Sequence, residues 1–407
     1  MNRRDLLALA GGAAFASGLA PIWTARAEGP SQRLVVVMLR GAVDGLNVVV
    51  PYGEEAYYEA RPTIAIPKPG GDSGALALDG HFALHPALAA LMPLWNDKKL
   101  AFVHAAGSPD PSRSHFDAQQ FIENGTPGHP TTTDGWMNRV LAALPGARTS
   151  TDALSVGPTL PFILKGPIAV ANLPLGPRAA QPMAIDQPQV ASAFDKLYAG
   201  SGRQGEAYRQ GREARTELIA NMSSEEQMAD NGAPPANALP AVADRLAGLM
   251  TRDRHIRLAF ASLGGWDTHV NQGAESGQLA NRLKPLGEGL AAFAKALGTD
   301  WDDTVVVVIS EFGRTVHENG NHGTDHGHGN VIWLLGGKVN GGKVYGEWPG
   351  LAEGRLYEGR DLAVATDYRH VLTAVLERHL RLADPAMAKI FPAMPAMRGN
   401  LGQLLNA

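Results

Sequence analysis

Not one cysteine occurs in the 407-residue sequence. Disulfides are therefore excluded, as is thiolate chemistry, and any metal site must be built from oxygen and nitrogen donors, a set that suits Zn, Mn, Fe, Mg or Ca. A basic surface is missing too. The 36 Lys and Arg face 40 Asp and Glu, for a formal net charge of −4 with no basic block, which argues against nucleic acid as a partner. Beyond the N-terminal segment no apolar run is long enough to span a membrane, so a soluble mature product is expected. Aromatics make up only 6% of the chain, which leaves a glycan-stacking surface to depend on residues such as Trp136, Trp266 and Trp348.

What is present starts with an export signature. Arg3-Arg4 precede a mild Gly/Ala-rich apolar stretch from Leu6 to Ala20, and Ala25-Arg26-Ala27 forms a small-residue cleavage site. Residues 1–27 resemble a twin-arginine signal, which implies passage of a folded chain through the twin-arginine export machinery to a periplasmic or secreted location.

Residues 28–407 fit a single α/β domain. Apolar runs in "RLVVVMLRG", "KLAFVHAAG", "IRLAFASLGG", "DTVVVVISEFG" and "GNVIWLLGG" predict five buried strands, each ending in polar or glycine-rich sequence. Between them, "SRSHFDAQQFIENG" predicts a helix opened by a Ser cap and closed by Gly125, and residues 279–297 and 368–380 predict two more. This alternation points to a three-layer α/β/α sandwich with a mostly parallel central sheet and a site at the C-terminal ends of its strands. Residues of about 145–250 read differently. They are Pro/Gly-rich, then helical through "AFDKLYAG" and "AYRQGREARTELIANM", then linker-like, and are expected to form an inserted helical cap.

The segment "GTDHGHGN" (323–330) concentrates Asp325, His326 and His328 between glycines. Neighbours on one loop seldom all reach one ion, so partners are sought after the other strands: Asp44, Ser114 and His115, Asp267 and His269, and Glu311. Read singly, each has a structural explanation. Asp44 before glycine suits a turn, Ser114 suits a helix cap, Asp267 suits an Asx-turn, and Glu311 has Arg314 as an ion-pair partner. Asp267 and His269, one residue apart, share a face of an extended segment and suit a common ion. Taken together the set favours a divalent metal centre.

At these residues the sequence resembles a known family. "LRGAVDGLN", "SRSHFDAQQFIENG", "GGWDTHVNQG", "SEFGRT", "GTDHGHGN", "LLGGKVNGGKVYGEWPGL" and "TDYRHVL" are similar, in order, to the exported bacterial family of domain of unknown function 1501, grouped with the alkaline phosphatase and sulfatase superfamily. The resemblance implies a metal-dependent hydrolase of phosphate or sulfate esters with an ester substrate, small or polymeric. It implies Asp267, His269 and His328 on the principal ion, and Asp44 and Glu311 at a second or shared position. Asp325 or His326 would support the loop's contribution, Ser114 would be the nucleophile attacking in line, and His115 or His326 a proton donor. An alternative placement puts "TDHG" (324–327) on the superfamily's metal turn. Two departures count against full equivalence: Phe312 stands where a second-metal histidine is usual, and the absent cysteine argues against a formylglycine sulfatase. The rival reading is a non-catalytic exported binding or assembly protein that keeps the fold and one ion.

The export reading makes its own prediction. Arg3→Lys combined with Arg4→Lys should leave full-length precursor in the cytoplasm, detected by fractionation and immunoblotting. Normal processing of that variant by the general secretory channel would refute the twin-arginine route.

Overall fold

The structure, a computed structural model, describes residues 32–146, 149, 151–173, 229–396 and 401–406. The export segment 1–27 and the two helices expected near 193–222 lie outside the described residues. Twelve strands are described, nine of them in one central sheet: β1 (Arg33–Leu39), β5 (Leu100–Gly107), β6 (Ala153–Val156), β7 (Ala171–Leu173), β8 (Leu258–Leu263), β9 (Thr304–Ser310), β10 (Asn330–Gly336), β11 (Lys343–Tyr345) and β12 (Thr366–Asp367). Its spatial order is β11-β5-β10-β9-β1-β8-β6-β7, with β12 beside β5. The remaining β2 (Val49–Val50), β3 (Leu76–Ala77) and β4 (Ala83–Leu84) form a small separate sheet.

Every pairing in the large sheet is parallel except those of β10, which runs antiparallel to both β5 and β9. The sequence explains the exception. The link from β9 to β10, residues 311–329, is glycine-rich and has no helical period, so no crossover helix carries the chain back and the strand returns in the opposite sense.

Alternation along β1 separates two cores. Val35, Val37 and Leu39 pack on one face of the sheet, while Leu34, Val36 and Met38 pack on the other. All six are buried, and each such side chain contributes about 1.5–3 kcal/mol relative to exposure. The first face is covered by helices Leu239–Arg252 and Gln278–Leu297, the second by α1 (His115–Asn124), α2 (Trp136–Ala143) and α3 (Tyr368–Arg378). This is the expected three-layer sandwich. Trp136 and Trp266 are core residues, 1% and 0% exposed, which removes them from any glycan surface.

The ends of the expected insertion belong to the sandwich. β6 and β7 extend the sheet and Leu239–Arg252 covers it, because their apolar residues face the same core as β1; residues 174–228 lie outside the described set.

Because β1, β5, β8 and β9 run the same way, the segments after them collect on one edge of the sheet, joined there by the loop entering β10. Close backbone approach at that edge requires glycine. Gly41 has φ +108, and a Cβ there would lie 2.7 Å from Asp267 N; a Cβ on Gly323 would lie 2.3 Å from His269 O.

Asp44 lies on this edge but is committed to a different partner from the one expected. Arg61 donates from Nη1 to Asp44 Oδ2 at 2.6 Å and from Nη2 to Oδ1 at 3.0 Å, and Gln272 Nε2 donates to Oδ2 at 2.7 Å. Both side chains are fully buried. A guanidinium already supplies the positive charge, so Asp44 is corrected from metal ligand to buried ion-pair partner. Arg61 also reaches Asn47 Oδ1, Thr315 O and Val316 O, tying the segment after β1 to the one after β9. Arg61→Met should strand the Asp44 carboxylate and lower the unfolding free energy by about 3–5 kcal/mol in denaturant titrations. A loss below about 1 kcal/mol, the level of an exposed pair, would show that the pair does not carry this edge.

Candidate metal centre

Helix α1 starts where the sequence says it should. Ser114 is the N-cap, its Oγ accepting from Asp117 N at 3.4 Å, and Gly125 closes the helix at φ 72. The residue that turns inward is therefore His115, at the first position of the helix. It is buried, whereas Ser114 is exposed.

Three imidazoles meet at this edge. His326 Nε2 lies 2.9 Å from His115 Nε2 and 2.9 Å from His269 Nε2. Asp267 closes the group: its Oδ1 is 3.0 Å from His269 Nε2 and 3.4 Å from His326 Nε2, and its Oδ2 is 3.5 Å from His115 Nε2. Donor atoms of His115, Asp267 and His326 all lie within 4.8 Å of one another.

The opposite ring nitrogens decide what these atoms can do. His115 Nδ1 lies 2.8 Å from Glu311 Oε1, His269 Nδ1 lies 3.1 Å from Asp325 Oδ1, and His326 Nδ1 lies 2.9 Å from the carbonyl oxygen of Arg113. Each contact is to an acceptor, so each Nδ1 carries the hydrogen, and a neutral ring then presents a bare lone pair at Nε2. His326 Nε2 therefore cannot meet His115 Nε2 and His269 Nε2 at 2.9 Å lone pair to lone pair without a proton or a cation between them. Asp267 Oδ2 points the same way, buried and without a hydrogen-bond partner. A divalent ion would satisfy these atoms, and a carboxylate or carbonyl behind each histidine is the arrangement that orients metal-ligating imidazoles. The donor set, three nitrogens and one carboxylate oxygen, fits a zinc-like ion.

The charge states agree. Burial would raise the Asp267 carboxyl, but His115, His269, His326 and Arg314 hold it far below the usual carboxylate range. Burial disfavours a proton on His115, yet Asp267 and Glu311 outweigh this and lift it to about 9. The hydrogen bond to Asp267 likewise raises His269. Glu311, which burial alone would raise, is brought down to about 2 by His115 and Gln119. These are the charges of the metal-free site: the proton on His115 supplies the positive charge that Asp267 and Glu311 demand, and an ion bound there would have to displace it.

The remaining expectations are redistributed by this geometry. His115 and His326, expected as proton donors, turn their Nε2 atoms into the centre and are ligand candidates instead. Asp267 and His269 lie at the same cluster, with His269 Nε2 3.0 Å from Asp267 Oδ1. Glu311 is not a ligand: its Oε1 accepts from His115, from Gly41 N at 2.8 Å and from Gln119 Nε2 at 3.0 Å, and Oε2 is 3.0 Å from Ser310 Oγ. Asp325 holds His269 from behind, with Asn319 Nδ2 donating to the same oxygen at 3.0 Å. His328 is outside the cluster. It stacks on Tyr357 with ring centroids 4.4 Å apart, and burial lowers its pKa. The "GTDHGHGN" loop thus contributes His326, as the alternative "TDHG" placement had it. Arg314 pairs with Asp267 and not with Glu311. Phe312 is buried against His115 and His326, ring centroids 4.9 and 5.3 Å away.

Sequence reading missed Gln119 and Glu123. With His115 they form an i, i+4, i+8 stripe on α1, all buried, and that spacing was available as a signal of one shared face. Arg40 bonds both Gln119 and Glu123, the latter at 2.6 Å, and Gln119 in turn donates to the same Glu311 oxygen that His115 reaches.

Ser114 as helix cap has a measurable consequence. Ser114→Ala should cost about 1 kcal/mol of stability in chemical denaturation and leave bound metal and any turnover unchanged. Abolished turnover in a folded Ser114→Ala protein would restore the nucleophile.

No curated protein matches the sequence. Solved structures do match at low identity. They include the lipoteichoic acid synthase LtaP from Listeria monocytogenes (11% identity, 76% of this chain and 67% of that one, TM-score 0.36). A sulfatase from Pseudoalteromonas sp. matches at 10% identity over 92% of this chain and 70% of that one, TM-score 0.41. The C-terminal periplasmic domain of EcEptC from Escherichia coli, in complex with Zn, matches at 12% over 76% and 74%, TM-score 0.36. The functional reading rests on the side chains and not on these distant likenesses. Residues 31–391 match the family described as "Protein of unknown function (DUF1501)", and the chain belongs to that family.

Proposed function

We propose that this chain is a hydrolase of phosphate or sulfate esters built around one divalent ion held by His115, His269, His326 and Asp267. The observation that carries the proposal is the convergence of three Nε2 atoms and the unpartnered Asp267 Oδ2, each ring tethered through Nδ1. An ion bound there would polarise an ester oxygen and stabilise the negative charge that develops on it during displacement.

The protein's own contribution is orientation. Glu311, Asp325 and the Arg113 carbonyl fix three rings, Arg314 fixes Asp267, and Phe312 closes one side of the centre to water. In the reaction a water oxygen bonds to phosphorus or sulfur, the bond to the organic oxygen breaks, and the departing alcohol takes a proton originating from that water. The ester class is drawn from the sequence resemblance, and an export location from residues 1–27. Among the described residues no helix is long and apolar enough to cross a membrane.

A second reading, a non-catalytic protein that keeps the ion for stability, is favoured by one observation: the expected nucleophile Ser114 serves as a helix cap. One experiment separates the two. Mature wild-type protein should hold about one equivalent of metal after mild chelation, the ligand set being that of one closed or nearly closed site. His326→Ala should lose it, and Glu311→Ala should bind it about 10–100-fold more weakly. Metal-dependent turnover within a panel of aryl phosphates, phosphodiesters and sulfates supports the hydrolase. Metal without turnover supports the second reading, and full metal retention by His326→Ala overturns both.

A further inference from the structure

Among the described residues only two large hydrophobic side chains are exposed, Phe116 at 77% and Val270 at 48%. Both are immediate chain neighbours of histidines in the centre, Phe116 of His115 and Val270 of His269. His115 and His269 each bring Nε2 within 2.9 Å of the same atom of His326, so the backbone positions of Phe116 and Val270 lie next to one centre. Each Cα lies one peptide, about 3.8 Å, from that of its histidine.

Isolated exposed hydrophobics are ordinary on protein surfaces, and the information here lies in their placement. Among the described residues the other large apolar side chains lie in the core or at half-buried positions, and the two exceptions adjoin the same group of ligand candidates in the chain. At 77% exposure the Phe116 ring does little for the fold. On the helix it is turned about 100° from His115, the step of one residue at 3.6 per turn, so it stands beside the centre and not in it. The polar groups that hold the rings, Glu311, Asp325 and the Arg113 carbonyl, are engaged with the imidazoles, so the exposed apolar side chains beside the cluster are Phe116 and Val270.

We propose that the ester bound at this centre carries an apolar organic group, aryl or alkyl, and that Phe116 and Val270 contact it and set this preference. The inference rests on the single-ion hydrolase reading for its chemistry, while the contact itself is a binding property. An apolar group seated against both side chains is removed from water, the main source of affinity for such a group, whereas a small polar alcohol such as glycerol gains nothing from them.

The test uses the mature, metal-loaded protein and its Phe116→Ala/Val270→Ser double variant. Metal content and thermal melting should be unchanged. KM for 1-naphthyl phosphate or sulfate should rise about tenfold in the variant, with the glycerol ester within about twofold, as expected for loss of part of an apolar contact. Titration with 1-naphthylphosphonate, whose carbon–phosphorus bond does not hydrolyse, should show the same loss of affinity. If no ester is turned over but the phosphonate binds and the variant weakens it, the apolar rim stands and the hydrolase reading fails. If esters are hydrolysed and the variant treats naphthyl and glycerol esters as the wild type does, the rim is overturned and the hydrolase stands. No phosphonate binding by the metal-loaded wild type also overturns the rim.

Discussion

The hydrogen bond from His115 Nδ1 to Glu311 Oε1, 2.8 Å long and joining residues 196 apart in sequence, ties the start of α1 to the end of β9. Most of the centre's orientation follows from it. Glu311 is fully buried and receives Gly41 N and Gln119 Nε2 on the same oxygen, so its position is set by the loop after β1 and by α1 itself. A carboxylate fixed this firmly leaves His115 one tautomer and one direction. The same device, an acceptor behind the ring, is repeated at His269 and His326 with different acceptors. Repetition of the device, more than the mere proximity of three histidines, distinguishes this cluster from a group of surface imidazoles.

Arg314 carries the second constraint. It is buried and donates to the carbonyl oxygens of Ala42 (2.7 Å), Gly41 (2.8 Å), Thr324 (3.0 Å) and Trp266 (3.2 Å), besides pairing with Asp267. One guanidinium therefore joins the loops after β1, β8 and β9, including the loop that carries His326. An unpaired charge at this depth would be costly, and Asp267 balances it through Oδ1. Oδ1 also lies 3.0 Å from His269 Nε2 and 3.4 Å from His326 Nε2, while Oδ2 faces His115 Nε2 at 3.5 Å and makes no hydrogen bond. The structural ion pair and the approach to the histidines thus belong to one carboxylate.

How much of this could be read from the chain divides along physical lines. The strands after which the site residues fall were legible because continuous runs such as Val305 to Ile309 leave few alternatives to a doubly covered strand. That Asp267 and His269 reach one cluster was legible because the spacing is local. The assignments of Asp44 and His328 failed for a common reason: sequence shows donor types but not which counter-group reaches them. Asp44 meets Arg61, 17 residues away on the same side of the fold, and His328 stacks on Tyr357 across a loop. His326 and His328 alternate along the loop, and only the contact of His326 Nδ1 with the Arg113 carbonyl, 213 residues away, selects between them. Glu311 was found for the right reason, a buried carboxylate that needs a partner, but the partner is a histidine where Arg314 was expected. Gln119 was within reach of helical periodicity, four residues after His115 on the same face of α1.

Phe312 bears on the number of ions. Its ring lies within 4.9 Å of His115 and 5.3 Å of His326, centroid to centroid, and packs with Ala42 and Ala118 in a small apolar cluster on that side of the centre. Water and oxygen donors are excluded where the ring stands, so a second ion on that side would lack both ligands and hydration. Arg314 brings a fixed positive charge against Asp267 Oδ1, which disfavours a second cation beside that oxygen. Asp44, the other buried carboxylate on this edge, is neutralised by Arg61. On the single-ion reading proposed above, a phenyl ring and two arginines therefore stand on the ground a second ion would need.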